Sequence, residues 1–157
     1  MLDGLESVRW ELEAQPPSNG RDEVAKALRA LSVASPETSH AAYSRLLYAL
    51  GNDHAGTYYP VALAAVPFLG GILRGGGPAA RLRTLDALID LIGSFAPEPG
   101  FEFVETSSGR RLLADALKDE VLELSSEVER LSLVAASPEE AKLARDLLSL
   151  LHEQRTD

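Results

Sequence analysis

The sequence predicts an all-α protein, a short α-solenoid of about seven helices in one domain over residues 1–157. Three observations carry that expectation. Aromatics make up only 6% of a chain that is 45% hydrophobic, and Leu and Ala dominate the apolar set, which favours helix over strand. The stretch from Leu50 to Leu69, LGNDHAGTYYPVALAAVPFL, runs from a helix end through a compact polar-aromatic turn into a helix opening on Pro60 and interrupted at Pro67. Pro36 and Pro78 each open the first helix of a pair, about 40 residues apart, a spacing typical of stacked helical repeats.

Each element has its own punctuation. A first amphipathic helix is expected from Leu2 to Ala14, with Leu5, Val8 and Leu12 on one face, ending at Pro16, Pro17 and Gly20. Asp22 caps a second, whose buried stripe is Val24, Ala27, Leu28 and Leu31. Ser35 caps the third, with Pro36 at its first position, and Tyr43, Leu46, Leu47 and Leu50 face the core. Gly51 and Asn52 end it, both tolerant of the left-handed conformation. The fourth helix runs from Pro60 to the Gly75–Gly77 junction. The fifth starts at Pro78, packs through Leu82, Leu85, Leu88, Ile89 and Ile92, and stops at Gly93. After an irregular connection, a long sixth helix from Arg110 to Ala135 presents Leu113, Leu117, Val121, Leu124, Val128 and Leu131 as a coiled-coil-like seam. Ser137 to Glu140 forms a capping box for the last helix, which carries Leu143, Leu147, Leu150 and Leu151.

A period near 40 residues lies in the range of two-helix HEAT units, which bury their apolar faces only by stacking. Pro138 would open a further unit after an insertion in the connection beyond Gly93 and in the sixth helix.

Composition excludes several function classes. No cysteine is present, so there is no disulfide or thiolate metal site, which suits a cytoplasmic setting. The charged N-terminus does not read as a signal peptide, and the apolar run Val61–Leu73 is too short to cross a bilayer, so no membrane partner is expected. The net charge is −9, and residues 77–157 hold sixteen acidic against nine basic side chains. That half repels phosphates, which argues against nucleic acid and for a basic protein partner. His40, His54 and His152 are scattered and form no metal motif, the glycine run Gly75–Gly77 lacks a phosphate-loop ending, and no nucleophile sits in a recognisable elbow. The expectation is a protein that is not an enzyme and binds no cofactor or metal.

Four groups of residues compete for a binding role. In the turn Gly51–Pro60, Asp53, His54, Tyr58 and Tyr59 form either a recognition loop or a structural staple between helices. On the fifth helix, Arg83, Asp86 and Asp90 read as a solvated face holding an Arg83–Asp86 pair. Asp115, Asp119, Glu123 and Glu127 recur every fourth residue along the sixth helix, an acidic ridge met by internal cations or by a basic partner. Phe101, Glu102, Phe103 and Glu105 alternate apolar and acidic side chains, and either cover the end of the core or anchor a basic, apolar partner.

Residues 46–73 resemble a group of small bacterial HEAT-repeat-like proteins. The likeness lies in Gly51-Asn52-Asp53-His54, Gly56-Thr57-Tyr58-Tyr59-Pro60 and Val66-Pro67-Phe68-Leu69. Some proteins of that group look like immunity proteins for polymorphic toxins. The resemblance implies an inhibitor that covers a basic toxin's active site with its acidic surface. The alternative is a HEAT-like adaptor that docks peptides or helices of cytoplasmic partners. Gly75–Gly77 and the 94–109 insertion depart from a regular repeat and point to a compact, specialised member.

Overall fold

Leu and Ala at helical spacing build most of the molecule. The computed structural model describes residues 1–153. Among these are seven α-helices: α1 (Glu23–Ser32), α2 (Ser39–Leu50), α3 (Val61–Gly75), α4 (Pro78–Ile89), α5 (Leu113–Leu122), α6 (Ser125–Leu133) and α7 (Pro138–Glu153). Five short strands accompany them: β1 (Gly51–Asn52), β2 (Thr57–Tyr58), β3 (Ala96–Pro97), β4 (Phe103–Thr106) and β5 (Gly109–Leu112). β2 pairs antiparallel with β1 and parallel with β3, while β4 and β5 form a separate antiparallel ribbon. The fold is therefore mostly helical with two small sheets, which amends the all-α expectation.

The helices pack in pairs, α1 with α2, α3 with α4, and α6 with α7. Across the pairs, α4 lies between α2 and α7, and α3 contacts α1, α5 and α6. The predicted stripes meet in one core, where Leu28, Leu31, Leu46, Leu50, Leu85, Leu88, Leu117, Val121, Leu147 and Leu151 are fully buried.

The predicted first helix is absent. Two single 3-10 turns, Leu5–Ser7 and Trp10–Leu12, replace it, separated by an extended Val8 and preceded by a left-handed Gly4. The inward residues are Leu5 and Trp10, five positions apart, and the Trp10 indole N–H donates to the Leu5 carbonyl at 3.3 Å. Helical spacing cannot bury that pair, so Leu12 is left 68% exposed.

α2 starts at Ser39, three residues beyond Pro36, because Ser35 and Thr38 exchange side-chain-to-amide bonds and hold a turn there. Pro67 does not interrupt α3. It lies on the exposed side, while Ala65, Val66, Phe68 and Leu69 hold the helix to the core. The long sixth helix is instead two. Leu124 leaves helical geometry with ψ near 3° and is buried against the notch left by Gly70 in α3. Residues 110–112, expected in that helix, belong to β5.

The capping box of α7 is present and does more than cap. The Glu140 amide donates to Ser137 Oγ at 3.1 Å, and the Glu140 carboxylate accepts the Ala136 amide at 2.6 Å. That carboxylate is 1% exposed and also receives Arg81 Nε at 2.6 Å, while Arg81 donates to the Gly76 carbonyl at 2.8 Å. One buried ion pair thus ties the α3–α4 junction to the α6–α7 loop.

Candidate protein-binding surface

The turn after α2 is a miniature sheet. Gly51 is extended, with φ −176°, and does not take the expected left-handed form. Its role is close approach: a Cβ there would lie 1.9 Å from the Thr57 carbonyl oxygen. Asn52 Oδ1 accepts the Ala55 amide at 3.2 Å. Thr57 donates its hydroxyl to Glu98, and the Glu98 amide donates to the Tyr58 carbonyl at 2.8 Å, so β3 fixes the turn from the far side.

The two tyrosines of this turn part company. Tyr58 is 2% exposed, so it is a core residue and not a contact anchor, and burial with the charge of Asp115 pushes its hydroxyl up to about 12. Tyr59 directly follows β2, and successive side chains of extended backbone point to opposite sides. Tyr59 is half-buried and stacks, tilted, on Phe101 at 4.9 Å. His54 is exposed and meets the edge of the Tyr48 ring at 5.9 Å. Asp53 faces Tyr43 and Asp90, raising both, and makes no pair with His54.

Tyr59 and Phe101 connect the turn to the β4–β5 ribbon. Phe103 and Leu112 are cross-strand partners, 48% and 47% exposed, and Glu105 faces Arg110 two pairs further on, on the same face. The Arg110 guanidinium lies 4.4 Å from the centre of the Phe103 ring. Glu102 is held below its ordinary value by the Gly100 amide and its own, so it stays ionised on the rim. The Leu113 amide donates to the Glu102 carbonyl at 2.8 Å, which seats the first turn of α5, with Asp115, against the ribbon. Phe101 therefore packs on Tyr59 at the edge of the core, and Phe103 projects from the ribbon.

The acidic ridge does not run continuously. The break at Leu124 separates Asp115, Asp119 and Glu123 from Glu127. Asp119 pairs with Arg111 at 2.6 Å, and Glu127 with Arg130 at 3.2 Å, whose guanidinium also donates to the Leu73 carbonyl. Asp119 thus ties α5 to the ribbon through Arg111, whereas Glu127 belongs to an internal tie. Glu123 lies apart from the ribbon, in a groove with Arg74 and Glu120.

On α4, the Arg83–Asp86 pair forms at 3.2 Å, but the face is not simply solvated. Tyr43 donates to Asp90 and lies under Arg83, and burial raises both Asp86 and Asp90 above the ordinary carboxylate value.

Sequence reasoning missed Leu112, Arg110, Tyr48 and Glu98. The period-2 alternation through Phe103 and Glu105, resumed after Gly109, was the signal for the ribbon. Among the described residues no cluster of acidic or His side chains could hold a metal, and no helix is long and apolar enough to cross a membrane. No family model, curated protein or solved structure matches the chain.

Proposed function

We propose that this chain is a non-catalytic protein-binding module, an immunity protein that neutralises a cognate bacterial toxin by covering its basic active site. The scaffold on this reading is a short HEAT-like solenoid, with α1, α3 and α5–α6 as one row and α2, α4 and α7 as the other, in keeping with the pairwise packing. The observation that carries the reading is the exposed Phe103–Leu112 pair on the β4–β5 ribbon, flanked on the same strands by the Glu105–Arg110 pair, with the Arg110 guanidinium over the Phe103 ring. An apolar centre inside a charged rim is how tight interfaces are built, and the net charge of −9 draws a basic partner to it.

The test is capture by the tagged protein in its host, followed by assay of the captured partner. The expected result is one near-equimolar basic toxin whose activity falls on mixing, and whose affinity drops at least about tenfold with Phe103→Asp. Several substoichiometric partners indifferent to Phe103→Asp would replace this reading with the adaptor.

A further inference from the structure

A second concavity adjoins the ribbon on the far side of Tyr59. It is a cleft of about 610 Å³ between the segment preceding α1, the exposed end of α2 and the β1–β2 turn. Tyr48, His54 and Tyr59 line it with aromatic rings, and Glu98 and the Glu23–Arg45 pair line it with charge. That volume falls within the range of pockets that enclose small ligands, with room for a long side chain and its flanking backbone.

The charges inside are unequal. Arg45 is neutralised by Glu23 through two donors, at 2.9 and 3.3 Å. Glu98 has no cation among the described ion pairs. Its Oε2 receives the Thr57 hydroxyl, its Oε1 accepts no bond from the described residues, and its amide bond to the Tyr58 carbonyl fixes its backbone. None of the side chains of Tyr48, His54 and Tyr59 is engaged in a hydrogen bond, and Tyr48 is 43% exposed. The cleft therefore offers flat π surfaces beside one fixed, uncompensated carboxylate.

We propose that this cleft is the socket for an arginine side chain of the protein partner, an inference that rests on the protein-binding reading above. A guanidinium can lie flat on a tyrosine face while its edge donates to Glu98, and its weak hydration makes leaving water cheaper than for an ammonium. The ring of Tyr59 also touches Phe101, so an occupied socket would share one wall with the ribbon surface. Arginine and tyrosine are the residue types in which interface energy concentrates.

The full chain is titrated with three blocked tripeptides, Gly-Arg-Gly, Gly-Lys-Gly and Gly-citrulline-Gly, while backbone amide resonances are followed by NMR. Expected are saturable shifts at Tyr48, His54, Tyr59 and Glu98 with the arginine peptide, several-fold weaker binding of the lysine peptide, and none of the neutral citrulline isostere. Glu98→Gln and, independently, Tyr48→Ala should each weaken the arginine peptide several-fold, with the rest of the spectrum unchanged. Equal response to citrulline, no saturable response to arginine, or indifference to both variants overturns the socket. If partner capture still depends on Phe103, the socket alone has failed; if no partner is captured, the reading beneath it has.

Discussion

Glu140 shows how one residue joins local and distant structure. Its capping role follows from its place three residues after Ser137, and was legible in the sequence. Its bond to Arg81, 59 positions away, was not, because pairing at that separation depends on how α4 and α7 pack. Glu140→Gln leaves Arg81 without its counter-charge in a site only 19% exposed, so the expected loss is about 3 kcal/mol, read as a lower urea midpoint at unchanged slope. A loss below about 1 kcal/mol would mean that the pair behaves like a surface one. Asp86 and Asp90 act in the opposite sense. Burial raises both above 3.8, so between that value and their raised values the folded protein binds more protons than the unfolded chain. Their contribution to stability is full below 3.8 and lost as pH rises through the raised values. Asp90→Asn should flatten this component, visible as a variant midpoint that gains on the wild-type midpoint as pH rises from 4 to 7.

At the scale of elements, a glycine can be decisive or incidental. Gly51 faces the Thr57 backbone with no room for a methyl group, so Gly51→Ala should distort the β1–β2 turn and cost about 1–3 kcal/mol. Gly77, with φ −73° before α4, meets nothing within 4 Å, so Gly77→Ala should be neutral or stabilise by less than about 1 kcal/mol. Urea midpoints of the two variants, with amide exchange at Gly56 and Tyr59, would separate a turn defect from a global one. The same contrast explains what periodicity delivered. The stripes of α1, α2, α4 and α7 were readable because each buries one face continuously. The break at Leu124 was not, since Leu113 to Leu131 keeps its spacing across it and the cause is a notch in another helix, at Gly70.

For the whole molecule, the proposed reading has net charge govern encounter and the ribbon govern grip. Reversal of Glu102 and Glu105 to Lys should slow association with a basic toxin about tenfold at low salt, an effect that fades above physiological ionic strength, as stopped-flow rates would show. Phe103→Asp should act mainly on dissociation. A rate indifferent to the charge reversal would remove electrostatic steering from the account. The acidic residues picked out by spacing divide accordingly. Asp115 lies in the first turn of α5, Asp119 is tied to the ribbon through Arg111, Glu127 is engaged with Arg130, and Glu123 lies apart.

By itself the sequence determined that most of this chain is helical, which faces of those helices are apolar, and where Pro, Gly and the capping box divide them. Those properties depend on neighbours within a few residues, where backbone preference and side-chain spacing suffice. The tertiary structure decided that the N-terminal segment forms 3-10 turns around Trp10, that the acidic ridge is split, that Tyr58 is buried while Tyr59 lines a cleft, and that the connection after α4 holds three short strands, β3 against β2 and β4 against β5. Each of these outcomes depends on partners far away in the chain, whose packing outweighs the local pattern.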